Sequence, residues 1–222
     1  MWAVKLYESF TISNLSRHGI YPREWDGILG IITGPFVHSD YEHLLSNTVP
    51  IFMLSAVVVY FYRRVAIPTL FIIQVLTGFA VWLFARPSYH IGASGVVYGL
   101  VSFVFWSGIF RRNMKSIVLA LSALVLYSGY FHGILPTKDG VSWESHLFGA
   151  IVGIFTAFLF KGLKEADEMV ENPWAEDETR AYFLPRDTFD KTKKERAYEA
   201  YLEQLRQAEN SGDHWTDSST LH

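Results

Sequence analysis

Five long stretches without a charged side chain constrain this sequence more than any other feature. Asp, Glu, Lys and Arg are all missing from residues 43–62, 65–85, 87–110, 116–137 and 145–160. About 20 mainly apolar residues in a helix are enough to cross the hydrocarbon core of a bilayer. The first four stretches reach that length, and Lys161 extends the fifth because a lysine side chain reaches back to the interface. The sequence therefore predicts an all-α, polytopic membrane helix bundle.

The acidic residues are concentrated in a polar tail. Of the 19 Lys/Arg and 22 Asp/Glu in the chain, 9 and 15 fall in the last 62 residues. We therefore divide the chain into a first segment (1–17), a membrane core (18–163) and an acidic polar tail (164–222). The sequence contains no cysteine, which excludes disulfides and thiolate metal sites. It also has no basic stripe, so we expect no nucleic-acid partner.

The charges between the apolar stretches predict the topology. Lys and Arg accumulate in the cytoplasmic loops of membrane proteins. The segments "YRR" (62–64), "RRNMK" (111–115) and "KGLK" (161–164) all fall on one side of the predicted bundle. We expect this side, together with the tail, to be cytoplasmic.

The first segment, "MWAVKLYESFTISNL" (1–15), is too short to cross a membrane by itself. The topology nevertheless requires an incoming span before residue 18. We interpret the segment as the exit half of a span whose entry half is missing. The alternative is an interfacial helix in a protein with five spans. The loop that follows is expected to lie in the outer interface, because exposed irregular backbone is not stable in lipid.

Polar residues lie where three of the predicted helices enter the membrane from the outer side. His43 and Asn47 lie near the start of the first predicted helix, Ser94 lies near the start of the third, and His146 lies near the start of the fifth. Polar groups inside a membrane are costly, and they indicate function unless another reason is found. Because all four residues fall in the first turn or two of their helices, we expect them at a similar depth just below the outer surface.

Glycine spacing indicates which of these helices make contact. Gly95 and Gly99 are four residues apart on the serine helix, as are Gly149 and Gly153 on the histidine helix. This pattern of small residues allows two backbones to approach closely. A histidine removes a serine proton only when the two side chains are within about 2.6–3.2 Å. The spacing therefore favours a Ser94–His146 pair.

His43 and Asn47 share one helix face because they are four residues apart. Both side chains donate hydrogen bonds without a charge. A serine that attacks a carbonyl creates an oxyanion, and one fixed donor to that oxyanion is worth about 10²–10³ in rate. We therefore predict that this face stabilises an oxyanion.

Three motifs resemble those of the rhomboid family of intramembrane serine proteases. They are "FVHSDYEHLLSN" (36–47), "GASG" (92–95) followed by Tyr98, and "HLFGAIVG" (146–153). A lone G-x-S-G is a weak signal, but here it stands between the two histidine motifs in the family's order. The resemblance extends from about Gly19 to Leu163, and it implies a core of six spans, of which the first is incomplete here.

The resemblance implies a role for each motif residue. Ser94 is the nucleophile and His146 its general base and acid. His43, Asn47 and the Ser94 amide form the oxyanion hole, and His38 supports them. Tyr98 packs on the catalytic imidazole and orients it.

The glycines of the motifs have separate expected roles. Gly92 lets backbone amides face the oxyanion, while Gly95 and Gly149 allow the helices to approach. Some relatives carry a Trp-Arg pair in the first external loop, where this chain has Leu29 and Gly30. No role is therefore transferred to the nearby Arg23 and Trp25.

The function implied by this reading is intramembrane cleavage of single-span proteins near the outer face, through an acyl-enzyme on Ser94. The expected partners are transmembrane protein substrates and the lipid bilayer, and no cofactor or metal is expected. The resemblance further implies a multi-pass protein of the bacterial inner (plasma) membrane.

Two alternatives remain at this stage. One is a catalytically inactive relative that binds membrane clients, although such proteins typically lose the serine or the histidine. The other is a zinc hydrolase with His38, His43 and His146 as ligands, because imidazole binds zinc well. That second reading leaves the Gly-Ser-Gly motif unexplained.

Overall fold

The structure is a computed structural model that describes residues 1–136, 141–163, 165 and 190–212. The chain divides into two units, Met1–Val170 and Glu171–His222. The helices of the first unit are α1 (Trp2–Thr11), α2 (Gly30–Thr33), α3 (Tyr41–Phe61), α4 (Ala66–Phe84), α5 (Ser94–Arg111), α6 (Met114–Leu126) and α7 (Trp143–Leu159). Short 3₁₀ segments occur at Ser16–His18, Trp25–Gly27, Gly34–Phe36 and Ser128–Ile134.

The prediction of an all-α bundle is confirmed. The described residues contain no strand, only one antiparallel backbone bridge between Ile20 and His90. Within the described ranges, three helices, α3, α4 and α5, are long and apolar enough to cross a membrane. The apolar helix α7 is shorter, with 17 residues.

The apolar stretch 116–137 was predicted as one span, but the structure breaks it. Helix α6 ends at Leu126 after 13 residues, and the 3₁₀ segment Ser128–Ile134 is bent by 60° relative to it. Tyr127, Ser128 and Gly129 at the break are all weak helix formers. Because none of them is charged, hydropathy alone gave no sign of the break. The two pieces reach the length of a span only when they are taken together.

Helix α5 lies at the centre of the bundle. More than half of its apolar window, 56%, is buried inside the protein, against 28% for both α3 and α4. Leu100, Phe103 and Val104 of this helix are buried in the main apolar cluster. The residue at its first turn, Ser94, is therefore held by the most enclosed of these three helices.

The start of helix α3 is fixed by a side-chain cap. The Asp40 Oδ1 atom accepts a hydrogen bond of 2.8 Å from the His43 N–H. Such a cap satisfies one of the free donors of the first helical turn. It therefore fixes the point at which the helix that carries His43 and Asn47 begins.

Helix α1 lies antiparallel to the first half of α3. The Trp2 Nε1 atom donates to the Thr48 Oγ1 atom at 3.1 Å, and at the other end of the helix the Ser9 hydroxyl lies 2.9 Å from that of Tyr41. The buried Lys5 ammonium donates to the Ser39 carbonyl oxygen at 2.8 Å. Helix α1 and the first half of α3 therefore run in opposite directions.

Arg23 and Trp25 attach the first loop to the end of α4. The Arg23 guanidinium donates to the Ala85 carbonyl oxygen at 2.9 Å, and the Trp25 ring lies 6.0 Å from that of Trp82. The Trp82 indole N–H in turn donates to the Glu24 carbonyl oxygen at 2.9 Å. The loop is therefore fixed to the end of α4.

The described part of the second unit is helix α8 (Lys193–Gly212). Thr192 and Glu195 exchange side-chain-to-backbone hydrogen bonds at its start, which is the arrangement of a capping box. Within the acidic tail, residues 164, 166–189 and 213–222 lie outside the described residues.

Candidate active site

Ser94 and His146 meet at the ends of the two helices with glycine spacing. The Ser94 Oγ atom lies 2.9 Å from the His146 Nε2 atom. This is within the distance at which a histidine takes the proton from a serine hydroxyl. The structure therefore brings together the pair that the sequence predicted.

The other nitrogen of His146 has a backbone partner. Its Nδ1 atom lies 2.7 Å from the carbonyl oxygen of Gly133, in the 3₁₀ segment that follows α6. A carbonyl oxygen only accepts hydrogen bonds, so Nδ1 must carry the proton in this contact. In a neutral imidazole, Nε2 is then left with its lone pair facing Ser94. The Gly133 carbonyl thus selects the tautomer that a general base requires.

Tyr98 lies flat against the His146 ring. The two ring centroids are 4.1 Å apart and the planes differ by 8°. The Tyr98 hydroxyl donates to the Tyr130 carbonyl oxygen at 2.8 Å. The ring of Tyr98 therefore stacks on the imidazole while its hydroxyl contacts the segment that carries Gly133.

His43 and Asn47 lie on one face of α3, as predicted from their spacing. The Asn47 amide nitrogen donates to the His43 carbonyl oxygen at 2.7 Å. An amide nitrogen carries two hydrogens, so a second donor remains. The His43 Nδ1 atom lies 3.2 Å from the Ser39 hydroxyl. Both residues line the same cavity as Ser94 and His146.

His38 is buried behind His43. The two rings meet edge to face with centroids 5.0 Å apart, and His38 is 1% exposed. Burial, reinforced by the neighbouring His43 imidazole, lowers the pKa of His38 to about 4. His38 is therefore a neutral group at ordinary pH, and it fixes the position of the His43 ring by packing.

Gly92 lies directly beside the His43 ring. Its φ of 94° lies in the region that favours glycine. Its N–H donates to the Gly34 carbonyl oxygen at 3.0 Å, so this amide is already occupied. A Cβ atom at this position would lie 2.6 Å from the His43 Nε2 atom. The missing side chain therefore makes room for the His43 imidazole.

The paired glycines bring α5 and α7 into backbone contact. A Cβ atom on Gly149 would overlap the carbonyl oxygen of Gly95, and one on Gly153 would overlap that of Gly99. On Gly95 a Cβ atom would lie 3.1 Å from the Ser145 carbonyl oxygen. The close approach predicted from the glycine spacing is present both between Gly95 and Gly149 and between Gly99 and Gly153.

The site opens into a cavity of about 600 Å³. Its lining is shared by the predicted site residues and by polar groups of the adjoining helix starts and loops: Ser39, Asp40, Glu42, His43, Ser46, Asn47, Tyr89, Ile91, Ser94, Val97, Tyr98, Tyr130, Val141, Ser142 and His146. Both polar and apolar groups face this space, which is large enough for several residues of an extended peptide.

The arrangement of the histidines does not favour the zinc alternative. Within the ranges that the structure describes, no three His, Asp or Glu side chains are grouped as metal ligands. Both ring nitrogens of His146 have other partners, Ser94 and Gly133. The residues present therefore fit a serine–histidine pair better than a metal site.

Sequence reasoning missed Gly133 and Tyr130. Both act on the site through backbone carbonyl oxygens, which every residue type has, so residue identity gives no direct signal. The only indirect signal in the sequence is the glycine at position 133 itself. In the structure, a Cβ atom here would overlap the Tyr98 hydroxyl and lie 3.2 Å from His146 Nδ1, so only glycine fits this position without rearrangement.

Comparison with known proteins agrees with the residue motifs. The sequence pattern of the Rhomboid domain matches residues 26–162. An uncharacterized protein of Mycobacterium tuberculosis is 33% identical over 72% of this chain and 70% of its own length. One of Mycobacterium leprae is 30% identical over 75% and 72%.

A third relative has a rhomboid name. This protein of Acanthamoeba polyphaga mimivirus, provisionally named as a rhomboid protein, is 29% identical over 60% of this chain and 75% of its own length. The apolar helices and the matched domain together make this chain an integral membrane protein. The chain belongs to the rhomboid family.

Proposed function

We propose that this protein is an intramembrane serine endopeptidase that uses a Ser94–His146 dyad. The observation that carries the proposal is the 2.9 Å contact between Ser94 Oγ and His146 Nε2, with Nδ1 held by the Gly133 carbonyl oxygen. A serine in such a contact is activated by the adjacent general base. The dyad lies in a cavity with room for a peptide, as proteolysis requires.

The reaction follows from this geometry in two stages. His146 Nε2 takes the Ser94 proton while Oγ bonds to the carbonyl carbon of the scissile peptide. The resulting imidazolium gives that proton to the leaving amine as the C–N bond breaks, which produces an acyl-enzyme. A water molecule then loses a proton to Nε2 and attacks the ester carbon, and Ser94 Oγ leaves with the proton.

His43 and Asn47 supply hydrogen bonds to the oxyanion, together with the Ser94 amide. Asn47 retains a second amide hydrogen besides the one bonded to the His43 carbonyl oxygen. Gly92 leaves space for the His43 ring at the start of α5. Donors fixed in this way stabilise the tetrahedral intermediate without reorganising during the reaction.

The substrates of this site are transmembrane proteins with one span that is cleaved near its outer end. A regular helix hides its carbonyl carbons, so the substrate must be extended where it meets Ser94. The concentration of Lys and Arg at 62–64, 111–115 and 161–164 supports a cytoplasmic location for the helix ends that lie opposite the site. In this proposal the tail is cytoplasmic, and the membrane is a bacterial inner (plasma) membrane.

The test compares wild type, Ser94→Ala, His146→Ala and a control, Ser122→Ala, at an exposed serine of α6, all reconstituted in liposomes with a single-span substrate. We expect cleavage by wild type and Ser122→Ala only. A serine-directed phosphonate should label Ser94 in the wild type and not in His146→Ala. Unchanged cleavage by Ser94→Ala would end the proposal, and loss of that cleavage with a chelator would favour a metal-dependent reaction.

A client-binding protein gives a different result in the same experiment. Wild type would retain the substrate in a pull-down, release no fragment and leave the phosphonate unreacted. The intact dyad geometry is the reason that we favour hydrolysis over this alternative.

A further inference from the structure

A second serine–histidine pair lies next to the first. The His90 Nδ1 atom lies 2.6 Å from the Ser142 Oγ atom. His90 precedes Ser94 by four residues, and Ser142 precedes His146 by four, so both pairs span 52 residues of sequence. The residue types are exchanged, because here the histidine precedes α5 and the serine precedes α7.

The direction of the hydrogen bonds around His90 follows from its partners. Its Nε2 atom lies 3.0 Å from the Arg86 carbonyl oxygen, so Nε2 carries the proton. Burial lowers the pKa of His90, which favours the neutral ring. Nδ1 therefore accepts the Ser142 hydroxyl hydrogen, and the Ser142 oxygen remains free to accept from Ser145, whose hydroxyl is 2.5 Å away.

The loop that carries His90 is fixed to the rest of the protein by its backbone. His90 and Ile20 exchange two backbone hydrogen bonds of 2.8 and 2.9 Å. Two residues later, the Gly92 N–H donates to Gly34. His90 itself is 3% exposed. The His90 ring is therefore held in a fixed position just before the start of α5.

Ser142 connects the His90 ring to the start of α7. It is the residue immediately before the helix, and its carbonyl oxygen accepts a hydrogen bond of 3.4 Å from the His146 N–H. The Arg86 side chain supports the same segment, donating to the Val141 carbonyl oxygen at 2.8 Å and pairing with the buried Glu144 carboxylate at 3.4 Å.

We propose that His90 and Ser142 are a positioning pair that fixes the start of α7 against the start of α5 and thereby places His146 on Ser94. The inference rests on the proposed function. Neither residue touches the reacting atoms, so the pair acts through the geometry of the dyad. A misplacement of about 1 Å in a catalytic group costs roughly 10²-fold in rate.

The geometry of the contact allows a sharp substitution test. The side-chain amide of Asn has a polar atom on Cγ, where His has Nδ1, whereas the polar atoms of Gln lie one bond further out. We expect His90→Ala to lower kcat by roughly 10- to 100-fold with little change in KM. His90→Asn should recover most of that loss, and His90→Gln should not. His18→Ala, at an exposed histidine, should behave as wild type.

A double substitution tests whether the two residues act as one unit. We expect Ser142→Ala to lower kcat like His90→Ala, and the double variant to be no worse than either, because the contact is lost only once. Phosphonate labelling of Ser94 should slow in parallel. Thermal unfolding of each variant shows whether the fold is intact, and Ser142→Ala and His90→Asn provide the test if His90→Ala does not fold.

Three results would overturn the inference and leave the proposed function standing. They are kcat values of all His90 variants equal to that of His18→Ala, additive losses in the double variant, and phosphonate labelling at Ser142, which would make Ser142 a nucleophile. A wild type that neither cleaves nor labels at Ser94 would overturn both. The two failures are therefore distinguishable.

Discussion

The Nδ1 atom of His146 donates its hydrogen bond to the carbonyl oxygen of Gly133, 2.7 Å away. In the Ser-His-Asp triad this position is held by a buried carboxylate. A neutral carbonyl fixes the tautomer and the ring orientation equally well, without the cost of a buried charge. It stabilises the imidazolium less, because its oxygen has only a partial charge. The Gly133 carbonyl oxygen is therefore part of the proposed active site.

Substitution of Gly133 should lower the proposed activity without unfolding the protein. In Gly133→Ala the new Cβ atom would overlap the Tyr98 hydroxyl and lie 3.2 Å from His146 Nδ1, which displaces both rings or the segment itself. We expect kcat to fall by roughly 10- to 100-fold. Gly129→Ala is the matched control, since no described atom lies within 4 Å of its Cβ. Equal activity of the two variants would contradict the role given to Gly133.

The two contacts of Tyr98 can be separated by substitution. Tyr98→Phe keeps the ring that stacks 4.1 Å from His146 and loses only the hydroxyl bond to the Tyr130 carbonyl oxygen. We expect this variant to retain activity within about twofold of the wild type, and Tyr98→Ala to lose more, up to about tenfold, because ring stacking is worth about 0.5–1.5 kcal/mol. Steady-state cleavage measures both. If Phe were as inactive as Ala, the hydroxyl bond would be the essential contact.

Part of the site could be predicted because its residues follow helical spacing. His43 and Asn47 share a face at a separation of four residues, and the glycines that precede and follow Ser94 mark a close approach. Their positions in the first turns of the spans then predicted a similar depth, since a polar residue in the first turn of a span lies near one surface. Side-chain chemistry and periodicity were sufficient for these residues.

The remainder of the site depends on features that a sequence does not display. The Gly133 carbonyl reaches His146 only because α6 ends at Leu126 and the chain bends, within an uncharged stretch that hydropathy reads as continuous. Nothing in the local sequence distinguishes His90 from other polar loop residues, because its contact with Ser142 is formed only in the folded structure. Backbone acceptors and contacts between distant loops follow from tertiary structure alone.

Close packing of α5 on α7 should be essential for both stability and activity. A Cβ atom in Gly149→Ala would overlap the Gly95 carbonyl oxygen, and backbone atoms have no alternative rotamer. Overpacking of this kind costs about 1–3 kcal/mol and would move His146 away from Ser94. We expect a lower unfolding temperature in detergent and reduced cleavage. Gly162→Ala, with no described atom within 4 Å of the new Cβ, should match the wild type in both measurements.

The low pKa of His38 should make stability depend on pH. Its pKa is about 4 in the folded protein, against an ordinary value of 6.5, because of burial and the adjacent His43 imidazole. Between these values the unfolded chain binds more protons at this position than the folded chain does. Stability must therefore fall as the pH decreases from 6.5 towards 4, and this contribution is constant above and below that window.

His38→Phe isolates this contribution, because it keeps an aromatic ring against His43 and cannot titrate. We expect its unfolding temperature in detergent to change less between pH 7 and pH 5 than that of the wild type. His18→Phe, at an exposed histidine, serves as the control and should show the wild-type pH dependence. A pH dependence in His38→Phe as steep as in the wild type would mean that His38 is protonated as readily in the folded chain as in the unfolded one.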